Sequence, residues 1–374
     1  MNESSKPLAF FTDLLDLHLA RSGKLPLNVL VTLPRSWTAA EEDFGNMLLA
    51  KVADRVQSLM LFNPRESMTS QFSNAMPVLK QLCLVFNYNW LPEASPPWTL
   101  SITGAPSLSH FVYRGRDFEL PPTHELTLPW ASVTRFDAWQ LHGRPSLEVL
   151  RKCPNLEFYG AAAGADMMGS LVDFNQQEYQ PIVLPRLRTF ECPGYYGKAV
   201  TDLLERIHMP ELRSLTLRFA FPMLSCFRPW KVFLYNLPKT ITHLKLCSFY
   251  PRHYEGDDDD PGHPDVIFEY MPRLQVLEVD SPQHGYLEEI CDALSLREAS
   301  GGLKYAPALR LFVVISRSTP ESGSPEEIQQ QLQRMLAARY TGYDALSDHE
   351  FKVEIGYNRD GQPLYDKVSL EIGD

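Results

Sequence analysis

The chain has 374 residues, 44% of them apolar, with 35 Lys plus Arg against 46 Asp plus Glu, a formal charge of −11. That balance works against sequence-independent phosphate binding, so no nucleic acid is expected as a partner. No segment approaches 18 consecutive apolar residues, and the start, MNESSKPLAFF, lacks a basic region followed by a long apolar run, so neither a membrane span nor a signal peptide is read.

In chain order, PLAFFTDLLDLHLARS from Pro7 to Ser22 reads as a helix, with Phe10, Leu14, Leu17 and Phe11, Leu15 on adjoining faces and Gly23 ending it. LPLNVLVTL from Leu25 then alternates as a strand. Together they predict an N-terminal cap over residues 1–35 that covers the first open edge of a repeat array. Thr38 with Glu41 makes a capping box, and Phe44, Met47, Leu48 and Val52 share a helical face before a strand at Val56.

From there one frame recurs. MPELRSLTL from Met209, MPRLQVLEV from Met271 and LPRLRTFEC from Leu184 share a Pro and then the spacing L-x-x-L-x-L. Anchors of this frame fall at Val56, Leu79, Leu108, Val133, Leu156, Leu187, Leu212, Ile241, Leu274 and Leu309, with irregular gaps of about 23 to 35 residues. Seven carry Pro two residues before the anchor, where a missing N–H costs nothing at a strand start. The spacing is the core of a leucine-rich repeat: alternate side chains point inward, and no copy is stable without its neighbours. Apolar spacing predicts helices before several strands, through Val200, Leu203, Leu204 and Ile207 and again through Leu287, Ile290, Cys291 and Leu294. Between Asn87 and Pro129, irregular loops or short 3₁₀ turns are expected.

The expected fold is therefore an α/β leucine-rich-repeat solenoid, with a curved parallel sheet on the concave side and helices and irregular loops on the convex side. Residues 36–320 form the repeats. Residues 321–374 form a C-terminal cap: Ser324 and Glu327 box a helix with Ile328, Leu332, Met335 and Leu336 inward. A hairpin of Phe351, Val353, Ile355 and Val368, Leu370, Ile372 comes next, turning at Asn358 to Gly361. Because the strand from Leu309, LRLFVVI, is apolar on both faces, this cap is expected to be needed for solubility.

Chemistry-bearing motifs are missing. There is no G-x-S-x-G, Walker loop, G-x-G-x-x-G or H-E-x-x-H, and no cofactor is expected. The run GDDDDPGHPD from Gly256, with His253 and His263, lacks calcium-loop spacing and reads as a solvated loop; His124-Glu125 and His349-Glu350 read as surface pairs. The cysteines at 83, 153, 192, 226, 247 and 291 form no C-x-x-C pair and fit a reducing compartment, cytoplasmic or nuclear.

Function is instead expected on the outward strand positions: Arg114 with His110 and Val112; Arg135, Asp137 and Trp139; Arg218 with Ser214 and Thr216; His243, Lys245 and Cys247; and Glu278 and Asp280 with Val276. Arg and Trp anchor protein interfaces. Arg114, Arg135, Asp137, Trp139, Arg218, His243, Lys245, Glu278 and Asp280 are the expected partner contacts.

RSGKLPLNVLV from Arg21, followed by CPNLEFYGA, LPRLRTFECPG and MPRLQVLEV, resembles the leucine-rich-repeat region of F-box proteins expanded in mushroom-forming fungi. The likeness implies repeats that hold a protein substrate for a cullin-based ubiquitin ligase. The F-box itself, which docks a Skp-type adaptor in that family, has no LPxE-type counterpart before Arg21. A free-standing scaffold or decoy is the alternative reading, and a hydrolase seated in the Pro-rich insertions is a third. The Asn that follows L-x-L in that family is matched only by Asn87, so looser stacking is expected.

Overall fold

The structure, a computed structural model, describes residues 6–32, 39–62, 76–85, 100–102, 104–114, 126–139, 144–162, 181–192, 206–218, 227–247, 264–280, 282, 284–317, 324–340, 352–358 and 366–370. Thr38, Asn87, His253, the carboxylate run 256–263, His124-Glu125, His349-Glu350, Phe351, Ile372 and the turn at 359–361 lie outside the described residues. The chain divides into two compact units, Met1–Gly164 and Ala165–Asp374.

In the first unit a helix over Lys6–Ser22 leads into β1 (Leu27–Thr32), and a helix over Ala39–Val52 into β2 (Val56–Phe62). There follow β3 (Gln81–Val85), β4 (Leu100–Ser101), β5 (His110–Arg114), β6 (Leu126–Thr127), a 3₁₀ turn over Trp130–Ser132, β7 (Arg135–Trp139), a helix over Arg144–Lys152 and β8 (Phe158–Ala162). β1, β2, β3, β5, β7 and β8 pair in that order, all parallel; β4 and β6 form a separate parallel pair. The register is one repeat per step, so Ser58, Gln81, His110, Arg135 and Phe158 stand in one row.

The second unit runs β9 (Ile182–Val183), β10 (Thr189–Cys192), β11 (Ile207–His208), β12 (Ser214–Arg218), a helix over Phe227–Asn236 and β13 (His243–Cys247). It continues through a helix over Pro264–Glu269, β14 (Val276–Asp280), a helix over His284–Ser295, β15 (Leu311–Arg317), a helix over Pro325–Tyr340, β16 (Lys352–Asn358) and β17 (Asp366–Leu370). β10, β12, β13, β14, β15 and β16 are parallel neighbours; β17 pairs antiparallel with β16, and β9 pairs with β11. Both units are thus α/β leucine-rich-repeat structures.

The recurring Pro has a sharper role than a tolerated strand start. In all seven copies the anchor N–H donates to the carbonyl three residues back, as Leu79 to Met76 (3.1 Å) and Leu274 to Met271 (3.1 Å). Pro77 and Pro272 therefore sit at the second position of a tight turn, where a fixed φ is an advantage. One carbonyl per repeat then accepts two N–H groups from the next: Arg213 O takes Thr242 N (2.9 Å) and His243 N (3.0 Å). Turn side chains bond backward to the preceding repeat, Ser132 Oγ to Leu108 O (2.6 Å), Asn155 Nδ2 to Ala131 O (2.8 Å) and Thr240 Oγ1 to Leu212 O (2.7 Å).

Inward positions are buried almost completely: Leu82, Phe111, Phe136 and Tyr159 in the first unit, Phe190, Leu215, Leu244, Leu277 and Phe312 in the second. The aromatic ones pack along their row, Phe111 stacked on Phe136 at 5.4 Å and Phe136 tilted against Tyr159 at 5.7 Å.

One helical expectation needs correction. Ile207 lies in β11 rather than on a helix, because the chain must extend there to enter the turn at Met209; Leu184 N donates to His208 O at 2.9 Å. Residues 200–204 lie outside the described residues. Of the two adjoining faces of the first helix, Leu14 and Leu17 are 38% and 46% exposed, while Leu15, with Leu19, is half-buried. The capping box at Ser324 is formed in both directions, Ser324 N to Glu327 Oε2 (2.8 Å) and Glu327 N to Ser324 Oγ (3.2 Å).

Candidate partner-binding face

The strand alternation that buries Leu82 and Phe111 turns their neighbours to the other side of the sheet. In the first unit this outward face centres on Asp137. Its Oδ2 lies 2.6 Å from His110 Nε2 on β5 and 2.8 Å from Arg135 Nε on its own strand, and Oδ1 accepts from the second Arg135 nitrogen at 3.2 Å. Burial alone would push the carboxyl pKa up, but the hydrogen bonds from His110 and Arg135 and their charge hold it below its ordinary value. Arg135 also lies over the Phe158 ring, 3.7 Å from its centroid. Gly160 makes room for this: a Cβ there would come within 2.9 Å of Phe158 Cε1 and 3.0 Å of Asp137 Oδ1.

In the second unit the outward charges also pair across strands. Arg218 on β12 donates to Glu191 on β10 (3.1 Å), and Lys245 on β13 donates to Glu278 on β14, its register partner. Partial burial disfavours the Lys245 charge, yet the hydrogen bond and charge of Glu278 raise its pKa above the usual value. Asp280 adds negative charge one level along, opposite Cys247. His243 is exposed, with Thr242 Oγ1 2.8 Å from its Nδ1.

The nine expected contact residues all lie on described strands, at outward register positions. Trp139 closes β7, and its side chain lies outside the described residues. His110, Arg135 and Asp137 come together; so do Lys245 and Glu278. The outward row is not uniformly wet, however. Val112, Thr216 and Cys247 are each only 6% exposed, because the side chains on the two flanking strands of a parallel sheet cover a central one. Phe158 in the first unit and Glu191 in the second also stand at outward positions of their own units, although sequence reasoning did not single them out. Phe158 sits two residues after the Leu156 anchor, the same offset as His110 and Arg135, so the frame itself held the signal.

Cys83, Cys153, Cys192, Cys247 and Cys291 are free and buried. Burial pushes the Cys153 thiol up to about 12 and Cys247 up to about 11. Among the described residues no three His, Cys, Asp or Glu side chains could hold a metal ion, and no helix is long and apolar enough to cross a membrane.

No family model matches the chain, and no curated protein is significantly similar to it. Among solved structures it is similar to a Bacteroides fragilis protein at 9% identity, over 89% of this chain and 82% of that one, with a TM-score of 0.38. It is also similar to the leucine-rich repeat-containing protein LegL7 from Legionella pneumophila, at 13% identity over 85% of this chain and 99% of that one, TM-score 0.38.

Proposed function

We propose that the chain is a protein-interaction module whose partner docks on the outward face of the parallel strands. The observation that carries this reading is the charged outward row itself. Glu191, Arg218, Lys245 and Glu278 stand on neighbouring strands with their inward neighbours fully buried, and each is pinned by an ion pair rather than left to sample rotamers. Fixed charges at fixed spacing lower the ordering cost of association and set its register.

The finer reading is a substrate-recognition array like those of F-box-type ubiquitin-ligase receptors, which rests on the sequence resemblance. The scaffold or decoy reading shares the face and differs only in what is recruited. Recovery of a Skp-type adaptor and a cullin with the purified chain supports the receptor; recovery of a protein partner alone supports the scaffold. A hydrolase would need an activated nucleophile. Cys83 stands on the strand next to His110, but the residue is 2% exposed and burial raises its pKa, the opposite of activation.

A further inference from the structure

The Lys6–Ser22 helix carries two stripes, and the fold uses one. Thr12, Leu15, Leu19 and Ser22 are half-buried, and the helix is held on that side by Arg55, which donates to Ser22 Oγ (2.7 Å) and Leu25 O (3.0 Å). At its edge Asp16 pairs with Lys51 at 2.6 Å. The opposite stripe, Asp13, Leu14, Leu17, Ala20 and Arg21, is exposed throughout. Of the nine exposed large apolar side chains among the described residues, Leu14, Leu17, Leu25 and Leu30 fall within this one cap. Leu30 lies on β1, an edge strand with no charge and no Pro, the protections such an edge usually carries.

We infer that this stripe is a docking surface for a second copy of the same chain, packed antiparallel about a two-fold axis at Leu17. The order of residues along the stripe is self-complementary. With Leu17 facing its own symmetry mate, Leu14 meets the small Ala20 and Asp13 meets Arg21, so each contact occurs twice. Aligned antiparallel helix dipoles favour the same arrangement. A parallel packing would set Asp13 against Asp13 and Arg21 against Arg21, and an unrelated partner would have no reason to match this order. The interface is small, and the dimer is expected to be concentration-dependent.

Sedimentation velocity and light scattering on the full chain test this with charge reversal. Wild type should move from one chain's mass, 42.7 kDa, toward twice that value as concentration rises. Asp13→Arg, Arg21→Asp and Leu17→Asp, all at exposed positions, should each stay at one chain's mass with an unchanged thermal melt. Mixing the Asp13→Arg chain with the Arg21→Asp chain should restore the double mass, because the reversed charges then face their opposites. A wild type that stays monomeric at every concentration overturns the proposal. So do single reversals that dimerise like wild type, or a mixture no heavier than its components.

Discussion

Arg297 and Arg339 each close the end of the other's helix. Arg339, on the Pro325–Tyr340 helix, is 3% exposed and donates to Leu294 O (2.8 Å) at the end of the His284–Ser295 helix and to Ala306 O (2.8 Å). Arg297, just past that helix, donates to Ala338 O (3.1 Å) and Arg339 O (2.7 Å). Two helix C-termini, each with carbonyls that no intrahelical N–H reaches, are satisfied reciprocally by cations placed where the helix dipole favours them.

The C-terminal helix is therefore bonded to the repeats by buried polar contacts as well as apolar ones. Arg339→Ala leaves two buried carbonyls without this donor and should cost roughly 2 to 5 kcal/mol in urea unfolding. Arg297→Ala, more exposed, should cost about 1 to 2 kcal/mol. The two losses should not add, since either one frees the same pair of helices.

Removing the segment after β15 has a different outcome. β15 presents Leu311, Val313 and Ile315 on the outward face and Phe312 and Val314 inward, and β16 covers its edge. A chain ending at Ser318 exposes that apolar edge and should aggregate. A monomeric, folded product by light scattering would contradict the role assigned to β16.

Leu215, Leu244 and Leu277 occupy one row across β12, β13 and β14 and are at most 1% exposed. Leu277→Ala should lower stability by about 2 to 5 kcal/mol, the transfer loss plus the cavity left between two neighbours. A change of a few tenths of a kcal/mol would contradict the repeat register.

The Asp137 carboxyl is held below its ordinary pKa in the folded state, so its contribution is present above the unfolded value of about 3.9 and fades as pH falls through the folded value. Asp137→Asn should therefore cost about 1 to 2 kcal/mol at neutral pH, and its stability should converge on wild type in strong acid. Chemical unfolding of both proteins across pH reads this directly. A gap that widens in acid would give the wrong sign.

The repeats were legible because L-x-x-L-x-L ties three buried positions to one strand, and Leu215, Leu277 and Phe312 follow it without exception. The outward residues were legible by the same offset. Their pairing was not: whether Arg135 turns to Asp137 depends on His110 and Phe158, which come from neighbouring strands distant in sequence. Which face of the first helix packs was not legible, because Leu14/Leu17 and Leu15/Leu19 are equally good apolar stripes and Arg55 and Lys51, which hold one side of the helix, come from beyond it in sequence. Ile207 misled because a short apolar run fits a helix face and an extended segment alike.

Binding of protein on the outward strand positions is tested most directly by titrating whatever protein co-purifies with the chain against three variants. Trp139→Ala and Lys245→Ala change outward strand positions, one in each unit; Arg334→Ala changes an exposed position on the Pro325–Tyr340 helix. Trp139→Ala should weaken binding by about 2 kcal/mol and Lys245→Ala by about 1 kcal/mol, with Arg334→Ala neutral. Equal affinities for all three variants and wild type would contradict binding at the outward positions.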